Sequence, residues 1–277
     1  MNKNDWFYTC HMPTSPVMPA TLQMEGMLQT LVLLIYNLSE KKIAGIVGIN
    51  IGKNRDTPID KSEDDYLLCL DEVYQFASYV VINISSPNTP ELRSLQFGSF
   101  LSELLSSMKK RQNQLANHYN RYVPLVIKIA PDLNSSEISS ISRAILEIDL
   151  DGIIATNTSI NRLGLENRKI KQTGLLLSQE NGGLSGRPLQ KKANQIIKHI
   201  HNIDKKIILI GVGGIDSPES AWERICSGAS LIQLYTGWIY KGPQLVPDIL
   251  EGIIKQLNNH QLSSIKDAIG SDLKWVE

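Results

Sequence analysis

Residues 124–157, PLVIKIAPDLNSSEISSISRAILEIDLDGIIATN, hold the pattern that decides the fold of this chain. Two short apolar runs, 124–130 and 152–157, flank a segment that is predicted to be a helix from 135 to 148. Neither run alternates apolar with polar residues, which is typical of strands in a parallel sheet covered on both faces. Ser135 or Ser136 is expected to cap the helix, with Glu137 in its first turn. The stretch predicts a strand–helix–strand unit.

The same unit recurs on both sides of this stretch. The remaining strand candidates are GIVGINI (45–51), YVVINI (79–84), KIILIGV (206–212) and SLIQLYT (230–236). Apolar residues at helical spacing predict one-faced helices over 97–108 and 189–203, and another helix follows Ser217 as cap and Pro218 as first residue. Six strand–helix units without a hairpin predict parallel strands joined by right-handed crossovers.

Open doubly wound sheets and closed barrels share this alternation, and the strand ends favour the barrel. Every predicted strand ends in small or polar residues, at 50–53, 83–88, 128–132, 156–158, 211–214 and 235–237. In a barrel the carboxyl ends of all strands meet at one mouth, whereas in an open sheet the strands far from the switch point have no site to serve. The predicted fold class is therefore α/β, of the (β/α)8 TIM-barrel type.

Composition excludes several classes of protein. The chain has 277 residues with 28 basic and 28 acidic side chains, so it lacks the net positive charge that is typical of nucleic-acid binding. Hydrophobic residues make up 42% and charged residues 20%, which indicates a globular chain. Cys10, Cys69 and Cys226 are odd in number and far apart, so neither a disulfide framework nor a metal site is predicted, and a reducing compartment fits best.

The beginning of the chain differs in texture from the rest. Residues 1–27 have no readable period and are expected to be irregular, 28–260 form the predicted barrel domain, and 261–277 form a C-terminal tail. The longest early apolar run, 31–36, is far shorter than the roughly 20 residues of a membrane-spanning helix. Prolines and polar groups near the start argue against a signal peptide.

Two glycine-rich loops follow the last two predicted strands. GVGGID (211–216) and LYTGWIYKGP (234–243) each place flexible backbone before a helix, which is a common way for barrels to bind phosphate. Glycines that only make tight turns are the simpler interpretation of either loop alone, but their occurrence on consecutive strands favours a phosphate site. Neither loop has the GxGxxG spacing of a dinucleotide-binding fold.

The loop VINISSPNTPELRSLQ (81–96) is the most informative stretch for function. It could be merely a turn-rich loop. However, Asn83 and Asn50 lie at the ends of apolar strands, where a buried amide needs a partner, and a bound polar ring would satisfy both. Lys128 either has a carboxylate partner or faces the electron density of a cofactor.

Seven motifs in order and spacing carry a family resemblance: GINIGKN, INISSPNTPELRSLQ, KIAPDL, IATNTS, GGLSGRPLQ, IGVGGIDS and LYTGWIYKGP. They resemble the quinone-linked class (class 2) of dihydroorotate dehydrogenase over roughly residues 28–255. The resemblance implies FMN over the carboxyl ends of the barrel strands. It also implies oxidation of dihydroorotate to orotate in de novo pyrimidine (UMP) biosynthesis, with electrons passing to a quinone. A peripheral position on the cytoplasmic side of the cell membrane is implied as well.

The resemblance also assigns residues. Ser86 occupies the position of the catalytic base, where the soluble classes place a cysteine, and it must pass its proton to a neighbouring hydroxyl or water. Lys128 would stabilise the anionic reduced flavin. The implied FMN contacts are Asn50, Asn83, Lys128, Thr156, Gly186, Gly214, Tyr235 and Thr236, and the implied dihydroorotate or orotate contacts are Asn83, Asn88, Asn157 and Thr158.

The chain also departs from the family pattern. Six strands are predicted where the barrel has eight, because GIVGINI resembles the family's third strand. The family's AAGLDK-type lysine loop and N-terminal quinone- and membrane-binding helices have no counterpart, so the chain is expected to be cytoplasmic if that element is required. A truncated, unstable and inactive barrel fragment is therefore the alternative prediction. A phosphate-binding barrel isomerase would leave the loop at 83–89 unexplained.

Overall fold

The computed structural model describes residues 46–162, 164–170 and 174–277. The predictions for residues 1–27, for the apolar run at 31–36 and for Cys10 lie outside these residues. The chain divides into two compact units, of which one comprises 47–162 and 181–277. In the other unit, residues 164–170 and 174–180 include an antiparallel bridge between Lys169 and Leu176 and the 3₁₀ helix Leu177–Gln179.

The larger unit contains all six predicted strands in one parallel sheet, which confirms them. The strands are β1 Gly48–Ile51, β2 Tyr79–Asn83, β3 Leu125–Ile129, β4 Gly152–Ala155, β5 Ile208–Val212 and β6 Leu231–Gln233. They neighbour one another in chain order from β1 to β6. A doubly wound sheet reverses its strand order at a switch point, whereas a barrel does not. The curled sheet therefore has the architecture of a partial α/β barrel, as predicted.

Helices fill the connections between the strands. They are α1 Ser62–Val73, α2 Gly98–Tyr119, α3 Ser135–Ile148, α4 Gln190–Ile203, α5 Pro218–Cys226, α6 Thr236–Lys241, α7 Leu245–Asn259 and α8 Ile265–Ala268. Short 3₁₀ helices cover Ile59–Lys61, Leu92–Gln96 and Arg187–Leu189. No helix in the described ranges is both long and apolar enough to cross a membrane.

Alternation along each strand gives the sheet two different faces. Odd-numbered residues of β3, such as Ile127, pack with β2 residues such as Ile82 into the main core beneath the helices. Val126 and Ile154 belong to a second, smaller cluster on the opposite face. Lys128 follows Val126 by two residues and pairs in register with Asn83. The second face therefore carries the polar side chains at the carboxyl ends of the strands.

Two helix starts show how local chemistry sets an element boundary. Ser217 caps α5 and Pro218 is its first residue, as predicted. The expected cap of α3 is wrong by one or two residues, because Asn134 Oδ1 accepts from the Glu137 N–H at 3.0 Å and the Glu137 carboxylate accepts from the Asn134 N–H at 2.7 Å. An asparagine is as good a cap as a serine, so the reciprocal bond with Glu137 decides the position.

Residues after α7 pack against α5. Trp222 is fully buried in a cluster that includes Ala268 and Trp275, and its ring stacks on His260 with centroids 5.6 Å apart. Gly270 N–H donates to the Ile225 carbonyl at 3.2 Å. The C-terminal residues are thus held by side-chain packing and by backbone hydrogen bonds.

Candidate functional site

A cluster of amides and hydroxyls joins the ends of β2 and β4. Asn83 Oδ1 accepts from Ser85 N–H at 3.3 Å and from Ser85 Oγ at 3.2 Å. Asn157 Nδ2 donates to Asn83 Oδ1 at 3.3 Å and to Ser85 Oγ at 3.1 Å, and its own Oδ1 accepts from Thr158 N–H at 2.8 Å. Tyr66 on α1 donates to the Asn83 carbonyl at 2.7 Å. These bonds fix the directions of two predicted ring-binding amides.

The predicted base lies directly beyond this cluster. Ser86 is partly exposed, whereas the preceding Ser85 is fully buried. Ser86 Oγ accepts from Asn88 N–H at 3.3 Å, which gives the loop a tight turn. A Cβ on Gly183 would overlap Thr158 Oγ1 and come within 3.1 Å of Pro87. Glycine at 183 therefore lets its loop approach the Ser86 loop closely.

Three polar groups on the same face of the sheet have no partner in the part of the chain that the structure describes. Asn50 Oδ1 and Thr156 Oγ1 are buried without a hydrogen bond. No described residue pairs with Lys128, and burial lowers the pKa of its ammonium. Unpaired buried polar atoms are costly, so Asn50 and Thr156 favour a bound polar partner, and the half-buried Lys128 lies on the same face.

The glycine-rich loops lie next to Thr156. A Cβ on Gly213 would lie 3.7 Å from Thr156 Oγ1, and one on Gly186 would lie 3.1 Å from Thr236 Cγ2. Gly214 has φ +77°, and a Cβ there would lie 2.7 Å from the Gln190 backbone nitrogen. At these positions glycine therefore lets the loops after β5 and β6 and the loop at 186 approach their neighbours closely.

The structure brings most of the predicted site residues together. Contacts link the loops that carry Asn83, Asn157, Thr158, Thr156, Gly186 and Thr236. Asn50 lies on β1 and shares the face of Lys128, whereas Tyr235 precedes α6, where burial raises its pKa. Asn88 is exposed at the edge of its loop. The described residues contain no group of His, Cys, Asp or Glu suited to a metal.

Sequence reasoning missed Ser85 and Arg93. Ser85 bonds both amides, although Ser86 beside it drew attention as the base. Arg93 Nε donates to the Ser85 carbonyl at 3.1 Å, Nη1 to Asp132 Oδ2 at 2.7 Å, and Nη2 to the Thr158 carbonyl at 2.8 Å. The only signal was an arginine within the polar loop, and a loop arginine is more often solvated.

Comparisons with known proteins show the family of this chain. The model of the family described as "Dihydroorotate dehydrogenase" matches residues 21–257. A "Dihydroorotate dehydrogenase (quinone)" of Vibrio cholerae is 50% identical over 221 residues, and one of Psychromonas ingrahamii is 51% identical over 221 residues. Each alignment covers 79% of this chain and 64% of the relative, so the chain spans about two thirds of their length.

Solved structures give the same result for the fold. The crystal structure of DHODH from Eimeria tenella in complex with ferulenol is similar with a TM-score of 0.74 and 33% identity. That match covers 84% of this chain and 63% of the other. The ligand-free type from the same organism has a TM-score of 0.73.

Proposed function

This chain belongs to the dihydroorotate dehydrogenase family, and we propose that it oxidises dihydroorotate to orotate in pyrimidine biosynthesis, with FMN as cofactor. The hydrogen-bonded cluster of Asn83, Ser85 and Asn157 beside Lys128 carries the proposal. It places amides, hydroxyls and a cation on one face at the carboxyl ends of parallel strands, where barrel enzymes keep their active sites.

The amides suit the substrate. Dihydroorotate has an imide and a carboxylate, which need both donors and acceptors in fixed directions. Asn83 and Asn157 are already oriented by the bonds described above, so they bind such a ring with little loss of side-chain freedom, and Thr158 is proposed as a further contact. Asn88 is proposed as a further contact from the exposed side of the loop.

Ser86 is proposed as the base that removes the proton from C5. A serine is a weak base at its free pKa, so it needs a neighbouring hydroxyl or water that accepts the proton. Ser85 beside it is fully buried and bonds to the partly exposed Asn83 and Asn157, so this cluster would cover one side of the reacting ring. Ser86 itself remains partly exposed, which leaves a route for the proton to solvent.

The residues present fit FMN. The unpaired Asn50 Oδ1, Thr156 Oγ1 and Lys128 would bind the polar edges of the flavin ring, and Asn83 lies in register with Lys128. Gly186, Gly214, Tyr235 and Thr236 would hold the phosphate with backbone N–H groups. When bound, FMN supplies the acceptor for the hydride from C6 of dihydroorotate.

We further propose a quinone as the final electron acceptor, because the named relatives are quinone-linked. A peripheral position on the cytoplasmic side of the cell membrane follows from the same likeness. The alternative of an inactive barrel fragment also remains a prediction. It is supported by β1 and β6, each of which has one strand partner among the described residues.

Purification of the 277-residue chain tests the proposal. We expect FMN at one per chain by visible absorbance, and dihydroorotate-dependent reduction of a soluble quinone followed at the absorbance of orotate. Fluorescence-monitored titration with FMN separates a chain that lost cofactor during purification from one that cannot bind it. A folded chain that binds neither FMN nor orotate would overturn the proposal.

A further inference from the structure

We propose that Arg93, held by Asp132, is a positioning residue that clamps the loop carrying Ser86 to the loop carrying Thr158. The inference deepens the proposed function and rests on it for the identity of the ligand. The clamp joins two loops of the chain itself, so its presence can be tested without any ligand.

The guanidinium of Arg93 joins three segments that are distant in sequence. Nε donates to the Ser85 carbonyl, Nη2 to the Thr158 carbonyl and Nη1 to the Asp132 carboxylate, at 3.1, 2.8 and 2.7 Å. The acceptors lie after β2, β4 and β3, respectively. A planar guanidinium has donors in fixed directions, so these acceptors keep a fixed geometry relative to one another.

The Ser85 and Thr158 carbonyls belong to peptide groups next to proposed site residues. The Ser85 carbonyl lies in the peptide group that leads into Ser86, and holding it fixes the plane of that peptide and the position of the Ser86 Cα. The Thr158 carbonyl similarly fixes the peptide between Thr158 and Ser159. Arg93 thus acts on the proposed base and on a proposed substrate contact through the backbone.

Both members of the clamp are themselves anchored. Asp132 accepts from Ser159 Oγ and, at 3.2 Å, from Ile160 N–H, so its carboxylate also binds the loop after β4. The 3₁₀ helix that carries Arg93 is attached to the end of β3 by Gln96, whose Oε1 accepts from Ala130 N–H at 2.9 Å. The Arg93 and Asp132 side chains are 19% and 23% exposed, so solvent screens their interaction only in part.

The decisive variant is Arg93→Lys, which keeps the charge beside Asp132 but lacks the planar fork. Arg111→Lys is the matched control, because Arg111 forms a two-pronged ion pair with Asp71 between α1 and α2 at 2.6 and 2.7 Å. Arg93→Ala and Asp132→Asn complete the set. The probes are orotate, titrated by calorimetry, and FMN, titrated by fluorescence.

We expect Arg93→Lys to weaken orotate binding by roughly tenfold or more, since two charge-assisted hydrogen bonds are lost or misdirected. FMN affinity and the melting temperature should stay within the range of the Arg111→Lys control. A role in general stability would lower both affinities together. Arg93→Lys with unchanged orotate affinity would overturn the inference.

Amide hydrogen exchange of the ligand-free chain separates this inference from the proposed function. The clamp predicts faster exchange in residues 85–89 and 157–160 of Arg93→Lys, and not of Arg111→Lys. If the parent chain binds no orotate, the proposed function fails and the exchange result alone decides on the clamp. Unchanged exchange in both segments would refute the clamp whatever the chain binds.

Discussion

At the scale of single residues, Ser86 is expected to matter for turnover and not for folding. Its Oγ accepts a hydrogen bond from Asn88 N–H at 3.3 Å, whereas the part-buried bonds to Asn83 and Asn157 belong to Ser85. Ser86→Ala should therefore lower dihydroorotate oxidation by about 100-fold or more, as loss of a general base does. Steady-state rates measure this effect.

The Ser86→Ala chain should still bind orotate and FMN. Ser102→Ala is the control, because its hydroxyl is exposed and donates only within α2, to the Ser99 carbonyl. Wild-type turnover in Ser86→Ala would assign the base to another group.

Gly214 is predicted to be required for binding of the FMN phosphate. Its φ of +77° is unfavourable for alanine, and a Cβ there would press on Gln190 N at 2.7 Å. Gly98 has φ +59° with nothing within 4 Å of a Cβ, so Gly98→Ala has similar backbone strain of about 1–2 kcal/mol without the collision.

We expect Gly214→Ala to lower FMN affinity by roughly tenfold through displacement of N–H donors, while Gly98→Ala leaves it unchanged. FMN titration of both variants gives the comparison. Equal FMN affinities in Gly214→Ala and the parent would place the phosphate elsewhere.

Lys128 is predicted to reduce stability in the ligand-free chain. Burial lowers its pKa in the folded state, so between that pKa and the unfolded value of about 10.4 the unfolded chain binds more protons. The contribution of Lys128 to the free energy of unfolding therefore rises with pH through that window. Below the window, the cost of burying the charged ammonium is present in full.

Lys128→Met should accordingly raise the melting temperature at pH 7, remove this pH dependence and weaken FMN binding. Lys110→Met, at an exposed position of α2, is the control. Thermal melts at pH 7 and pH 10 measure the effect, and a lower melting temperature for Lys128→Met at pH 7 would contradict it.

At the scale of elements, the start of α3 is held by a reciprocal pair between Asn134 and Glu137. Asn134→Ala should lower the free energy of unfolding by about 1 kcal/mol. Ser136→Ala should have a much smaller effect, since the bond formed at Ser136 uses its backbone carbonyl. Urea unfolding of both variants measures the difference, and the reverse ranking would return the cap to the serines.

The elements were predictable because their signals are local. Apolar β-branched runs located all six strands, and the period of apolar residues located α2 and α4. The cap of α3 was misplaced because three neighbouring residues, Asn134, Ser135 and Ser136, are all good caps. The choice among them depends on which one Glu137 reaches in three dimensions.

The site was predictable only in part, because local signals locate its loops but not the contacts between them. The loop residues at strand ends could be found from the sequence, since topology brings those ends together. The roles of Ser85 and Arg93 depend on hydrogen bonds that join three loops, which contain residues 85, 132 and 158. No periodicity or local motif encodes such a contact.

At the scale of the whole molecule, the sheet presents two strand edges among the described residues. β1 pairs with β2 and β6 pairs with β5, while every other described strand has two neighbours. Leu231 and Ile208 lie on the second face of the sheet and are 57% and 48% exposed. Unpaired backbone groups next to exposed apolar side chains favour pairing with another chain.

We therefore expect the ligand-free 277-residue chain to self-associate as its concentration rises, which sedimentation velocity measures over a concentration series. Leu231→Lys should shift the chain toward monomer, because a charge on an edge strand opposes strand pairing. Leu68→Lys is the matched control: Leu68 is 63% exposed but lies on helix α1 and offers no strand for pairing, so its replacement should leave association unchanged. Association that persists in Leu231→Lys would place the contact on the helices, whereas a parent chain that stays monomeric with a cooperative melt would show that the edges are covered within the chain.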